Sequence, residues 1–260
     1  MPGGNRCSEG RTLASSRKKR RSNKSGRAPA TPAGIAEALR DAIACGDLEA
    51  GSPLRQDRIA AEFGVSHIPV REALKQLVAE GLVIFIKNRG VVVSELSSKV
   101  AWELTEYRCL IEGQMARWAV PVMTDHDLAQ AEQVLDKLDE ETRIREILWL
   151  NTAFHAVLFT PADRPHFLAS IETVRANLMR YWRLAWEDLG HKPRSQRDHR
   201  KLLALCKNRN AEAAGREMER HIRETGNLIV AYLNRKDRAV HNPHHAGRVR
   251  ATRRRSSHRD

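Results

Sequence analysis

Aromatic side chains make up only 5% of this 260-residue chain, and no apolar run approaches the roughly 18 residues of a membrane span. Behind the basic N-terminal stretch there is no apolar h-region, so a secretory signal is not expected. Four cysteines, Cys7, Cys45, Cys109 and Cys206, lie far apart with no CxxC spacing. That pattern fits a reducing, cytoplasmic setting and makes the three internal thiols core fillers rather than ligands. No HExxH helix, Ser/His/Asp arrangement or glycine-rich phosphate loop is visible, which removes the commonest sequence grounds for an enzyme.

What the chain does have is 41% hydrophobic residues, enough for one large domain or two modest ones, and a net charge of +13. The charge is unevenly spread. Residues 1–31 carry +8 and residues 235–260 carry +7, which leaves the segment between them at −2. The stretches "RKKRRSNKSGR" and "RVRATRRRSSHR" have too little apolar surface to offset ordering entropy, so 1–31 and 236–260 are read as disordered basic tails. They can strengthen attachment to any polyanion without selecting a sequence.

Periodicity begins at Pro32. Ile35, Leu39, Ala42 and Ile43 recur at helical spacing up to Gly46, and Ile59, Ala60 and Phe63 mark a short second helix ending at Gly64. In "GVSHIPVREAL", Ser66 is a natural N-cap, with Val65 and Val70 placed for a hydrophobic staple and Pro69 tolerated in the first turn. Val70, Leu74, Leu77 and Val78 form the expected buried stripe, and His67, Arg71 and Lys75 line the opposite, exposed face. "LVIFIKNRGVVVSEL" reads as two strands about a turn at Asn88 and Gly90. Three helices and a hairpin give the order of a winged helix-turn-helix, whose third helix enters the major groove by its N-terminal end. The bland alternative is a small α/β subdomain with an ordinary solvated helix face; residues 32–95 hold seven Lys/Arg against nine Asp/Glu.

The run "AIACGDLEAGSPLRQDRIAAEFGVSHIPVREALKQLVAEGLV", with "NRGVVV" after it, resembles the N-terminal domain of GntR-type bacterial transcription regulators over about 60 residues. The resemblance implies that Arg55, Ser66, His67, Ile68, Arg71 and the wing residues Arg89 and Gly90 meet double-stranded operator DNA, with Lys75 on the same face. His67-Ile68 replaces the usual Arg-Thr, and Asp57 stands where the family often has arginine, so base reading should differ from the common family operator. Arg71 can grip phosphate or the O6/N7 edge of guanine with two hydrogen bonds.

From Ser97 to Arg235 the chain reads as six helices of an antiparallel bundle. The first carries Tyr107, Leu110, Ile111, Gln114, Met115 and Trp118 as its expected core stripe. The third pairs Asn151 with His155 one turn on; the fifth holds His199 and the sixth His221. Three imidazoles from three helices could build a transition-metal site with open positions, or each could be a lone, partly buried histidine with a backbone partner.

"NTAFH", "DHRKLLAL" and "GREMERHI" resemble the FCD ligand-binding domain of one GntR branch. That likeness implies a divalent metal on Asn151, His155, His199 and His221, most plausibly zinc, with nickel or iron as alternatives. It also implies that Arg108, in "EYRCLIEG", holds the carboxylate of a small organic acid effector; the alternative is an Arg108–Glu112 pair on a wet surface. The fold expected is therefore mainly α: a tail over 1–31, a winged helix-turn-helix over 32–95, an all-α effector domain over 97–235 and a tail over 236–260. The function expected is a homodimeric, cytoplasmic, nucleoid-associated regulator that answers a small acid and does not enter a membrane. The rival is a metal-dependent hydrolase or lyase fused to a nucleic-acid module.

Overall fold

The computed structural model describes residues 31–241; the rest of the two segments read as basic tails lies outside the described residues. The helices are α1 (Pro32–Ala44), α2 (Gln56–Phe63), α3 (His67–Ala79), α4 (Ser98–Ala119), α5 (Asp125–Glu140), α6 (Ile144–Phe159), α7 (Pro165–Glu187), α8 (Lys192–Lys207) and α9 (Ala211–His241). The strands are β1 (Val83–Ile86) and β2 (Gly90–Val93). Among these residues no helix is long and apolar enough to cross a membrane.

Local chemistry sets the boundaries. Thr31 caps α1 by accepting from the Gly34 amide at 3.2 Å, and Pro32 occupies the first turn, where its missing N–H costs nothing. Gly64, at φ 68°, closes α2 in the left-handed region. β1 and β2 pair antiparallel from Val83↔Val93 to Ile86↔Gly90, and Asn88 and Gly90 take the positive φ the turn demands. Ile35, Leu39, Ile59, Val70, Leu74, Leu77 and Val93 close one apolar core beneath the three helices and the hairpin. Two details differ from expectation. Ser66 sits at the N-cap with an extended backbone, but its side chain makes no capping hydrogen bond. Val78 is 42% exposed, because the buried face of α3 follows Val70, Ala73, Leu74 and Leu77 and turns Val78 outward.

The bundle is built on α4 and α9, with α5, α6 and α8 packed around a core that includes Phe154, Leu158, Leu202 and Met218. Here the expected stripe of α4 holds in part, with Met115 fully buried and Ile111 and Trp118 packed against the core, and is corrected at two positions. Leu110 is 75% exposed and Tyr107 37%, while Ala101, Thr105, Arg108, Cys109, Glu112, Gly113 and Ala116 turn inward. The cause is close packing against α9: a Cβ on Gly226 would stand 2.3 Å from Thr105, and one on Gly113 2.5 Å from Glu219. Small residues let the two helices approach there. α9 also continues through His241, into the segment read as a tail, since propagating a formed helix adds one hydrogen bond per residue.

α7 joins the two halves. Its Asn177 amide donates to the Glu80 carbonyl at 2.9 Å, Arg180 donates to the Ser94 carbonyl at 2.6 Å, and the Tyr181 hydroxyl accepts from the Ser97 amide at 3.2 Å. Ala44 of α1 lies in the same apolar cluster as Leu178 and Tyr181.

Candidate nucleic-acid interface and metal centre

A cleft opens where the start of α2, the first turns of α3 and the β1–β2 turn meet. Arg55, Gln56, Asp57, His67, Arg71, Arg89 and Gly90 line it. Arg71 Nε donates to Gln56 Oε1 at 3.1 Å, linking α3 to α2, and His67 Nε2 stands 3.4 Å from Asp57 Oδ1. Nothing lies within 4 Å of where a Cβ on Gly90 would be, so its φ of 77° alone calls for glycine. Three elements therefore bring Arg55, His67, Arg71, Arg89 and Gly90 to one surface. Ser66 and Lys75 are exposed outside the cleft lining, Lys75 beside Glu72 at 2.9 Å, and Ile68 projects from the first turn of α3, 71% exposed.

Within the bundle, His155 of α6, His199 of α8 and His221 of α9 converge, and one ligand atom from each lies within 4.8 Å of the others. All three are buried. His199 Nδ1 lies 3.0 Å from Gln196 Oε1, and His221 Nδ1 lies 3.4 Å from Asp198 Oδ2. The Gln196 amide cannot be turned round freely, because its nitrogen donates to Asp139 Oδ1 at 2.7 Å. Both Nδ1 atoms thus face acceptors and carry the protons. That leaves His199 Nε2 and His221 Nε2 as lone pairs facing each other at 3.2 Å. Two facing lone pairs repel unless a cation lies between them. Nitrogens held about 2.0–2.1 Å from one shared ion would be roughly 3.0–3.4 Å apart, so the spacing suits a metal.

The third imidazole argues the same way. Neither His155 nitrogen has a hydrogen-bond partner, although both are buried. An orphaned buried donor or acceptor costs about 1–3 kcal/mol. One nitrogen on a cation and the other turned toward Glu112 Oε2, 3.6 Å from Nδ1, would answer both. A proton is a poor substitute for the ion. Burial first, then the positive Arg175, pushes the His155 pKa well below the usual imidazole range, and burial with His221 does the same for His199. Asp198 stays ionised despite its burial, because His221 and Arg220 bond to it.

Arg108 and Glu112 are paired, and the pair is buried rather than on a wet surface: they are 5% and 0% exposed. Arg108 donates from Nε at 2.5 Å and Nη2 at 3.1 Å, and Arg175 of α7 donates to the same carboxylate from Nε at 3.2 Å and Nη2 at 2.7 Å. Burial would raise the Glu112 pKa, but Arg108 and Arg175 outweigh it and hold it at about 2. The guanidinium of Arg108 also stacks 4.7 Å over Trp182. Arg108, Asn151, His155, Trp182, Trp186 and His221 line one small cavity of about 10 Å³, the room of one water or ion. Asn151 is thus beside the histidines, 4% exposed.

Arg175, Gln196, Asp198 and the two tryptophans did not enter the sequence reading. Asp198 and Gln196 flank His199 within three residues, and that local pattern was the one available signal for them. Arg175 belongs to an arginine-rich helix and carried none.

Comparison with known proteins agrees with this architecture. Residues 31–93 match the model of the bacterial regulatory proteins of the gntR family, and residues 103–224 match the FCD domain. The HTH-type transcriptional repressor RspR of Escherichia coli K12 is 27% identical over 193 residues, covering 73% of this chain and 84% of that protein. The crystal structure of a GntR-family transcriptional regulator from Pseudomonas syringae is 32% identical with a TM-score of 0.51, over 79% of this chain and 87% of the other. A putative GntR regulator from Rhodococcus sp. RHA1 shares the fold, at 23% identity and a TM-score of 0.68, over 77% of this chain and 97% of the other. The chain belongs to the GntR family of bacterial transcription regulators, in the branch whose second domain is FCD, and is a DNA-binding regulator of transcription rather than an enzyme.

Proposed function

We propose that this regulator carries a divalent metal and changes its hold on operator DNA when a small carboxylate enters beside that metal. The observation that carries the reading is the pair of Nε2 lone pairs at 3.2 Å, oriented by Gln196 and Asp198, next to a buried imidazole with no partner. His155, His199 and His221 would hold the ion and Asn151 would offer a neutral carbonyl oxygen; zinc suits the set best, with nickel or iron as alternatives. Bound there, the ion would supply a positive centre that attracts a carboxylate oxygen. Arg108, already on Glu112, offers the acid its remaining N–H groups or exchanges one carboxylate for another.

On the DNA side the reading assigns Arg55, Ser66, His67, Ile68, Arg71, Lys75, Arg89 and Gly90 to the operator, with Arg71 as the principal base or phosphate contact. The chain acts as a homodimer in the cytoplasm, at the nucleoid, since two half-sites must be gripped in register. The exposed Trp102, Tyr107 and Leu110 along α4 support a covered face there. The test is a metal assay of purified protein followed by operator titration against sugar acids, hydroxy acids, dicarboxylates and fatty acids. About one divalent ion per chain, and one acid that shifts operator affinity without being consumed, is the expected result. Metal-free protein that responds to the acid as well as loaded protein does would overturn the reading.

A further inference from the structure

The joint between the winged helix and the bundle contains a second, separate cavity of about 200 Å³. Its walls come from both halves: Ile43 and Leu48 from α1 and the turn after it, Val93 and Leu96 from the hairpin and the linker, and Arg180 and Arg183 from α7. Arg180 is 6% exposed, and its bonded acceptors are neutral: the Ser94 carbonyl at 2.6 Å, Asn177 Oδ1 at 3.4 Å and the Tyr181 hydroxyl. Glu95 acts on it only through space. Its Nε is buried without a partner, and so is the Nε of Arg183. A guanidinium as buried as that of Arg180, with no carboxylate bonded to it, is usually paired or marks a site that an anion completes.

Arg183 is also held in place. Its guanidinium lies over Gly46, where a Cβ would come 2.8 Å from Cζ, and Gly46 has a φ of 80°, so glycine is doubly required there. Its Nη1 reaches Glu187 at 2.7 Å on the outer side. The one acid lining the cavity, Glu49, is exposed. Two arginines and four aliphatic side chains in one lining describe a ligand with a charged head and a short apolar body. The volume is below the roughly 300 Å³ of a drug-sized pocket, which limits that body to a few carbons or one ring.

We propose that this joint is a binding site for a small apolar-bodied carboxylate, held by Arg180 and Arg183 and distinct from the histidine cavity. A ligand there touches both domains at once, so it braces the seat of the winged helix on α7.

The test is isothermal titration of full-length, zinc-loaded protein with benzoate, isovalerate and inorganic phosphate. Benzoate or isovalerate should bind, and Arg180→Gln and Arg183→Gln should each weaken that binding at least about tenfold, the loss of one charge-assisted contact. Arg183 is partly exposed, so its variant keeps the fold even where Arg180→Gln does not. Asn151→Ala, which alters only the histidine cavity, should leave the arginine-dependent part of the binding in place. Binding lost in Asn151→Ala but retained in Arg183→Gln would overturn this site and leave the metal-side reading standing. No binding of any probe at tens of millimolar, or binding of phosphate alone, would also overturn it.

Discussion

Glu112→Gln tests the interior of the bundle most directly. The carboxylate is fully buried and accepts two hydrogen bonds from each of two guanidinium groups. Its pKa of about 2, against 4.5 for a free side chain, corresponds to about 3 kcal/mol of folding stability. Because the folded value is depressed, that contribution is complete above pH 4.5 and is lost as the pH falls through the interval down to about 2. Glutamine keeps the shape and removes the charge, and its NH2 then points at a guanidinium donor. Two buried cations lose their shared anion, a change that typically costs about 3–5 kcal/mol.

For a chain with roughly 200 ordered residues each kcal/mol moves Tm by about 2–4 °C, so the variant should melt roughly 10 °C lower. Urea unfolding followed by tryptophan fluorescence is the assay, since Trp182 lies against Arg108. The pH leg discriminates further: wild type should lose stability between pH 4.5 and 2 through this group, and the variant should lack that limb. Replacing the three together, Arg108→Met with Glu112→Leu and Arg175→Met, should recover much of the loss, because apolar packing needs no desolvation of charge. A Glu112→Gln protein within about 1 kcal/mol of wild type at pH 7, with an unchanged acid limb, would refute the reasoning.

Gly226→Ala should destabilise the α4–α9 contact by about 1–3 kcal/mol in thermal unfolding, since the new Cβ would meet Thr105 at 2.3 Å; Thr105→Ala in the same chain should relieve part of it. Arg71→Ala should weaken specific operator binding by about 1–3 kcal/mol in a gel-shift titration with the fold intact, whereas Lys75→Ala, on the rim, should mainly lower the salt slope. Asp198→Asn should lower metal affinity by roughly 10- to 100-fold in competition with a chelator, because it no longer orients His221; an unchanged affinity would mean that His221 is not held by Asp198.

The winged-helix half was legible because its punctuation is local. Pro32, Gly46, Gly64, the Ser66 position and the Asn88–Gly90 turn each act on the backbone within a few residues, and the structure keeps every one as a boundary. The three histidines were found by their helical placement and family likeness. The face of α4 was not legible, because hydrophobicity ranks Leu110 above Gly113 or Glu112. The face that wins is chosen by how near α9 can approach and by an ion triad whose third member, Arg175, lies 63 residues away. Long-range polar pairing leaves no periodic trace, and so Arg175, Asp139 and the counter-residues of Gln196 stayed invisible. Val78 failed for a smaller reason: on a helix with few large apolar residues, one residue of rotation separates core from solvent.

α7 links the histidine cavity to the seat of the winged helix. On one side it sends Trp182 and Trp186 to the histidine cavity and Arg175 to Glu112; on the other, Asn177, Arg180 and Tyr181 bond to the ends of α3, β2 and the linker. A cavity of about 10 Å³ cannot admit a carboxylate unless Trp182, Trp186 or the helix itself gives way. Interiors packed near crystal density pass such a displacement on as rigid movement rather than absorb it. The Arg180 hydrogen bond to Ser94 lies only one turn and a half along the helix from Arg175, so a shift at the cavity arrives at the winged helix with little loss. An acid that prefers one seat of the winged helix by a typical 1–3 kcal/mol would change operator affinity by roughly 5- to 150-fold, and operator DNA must change acid affinity by the same factor. That reciprocity follows from the equilibrium alone and holds whichever way α7 moves.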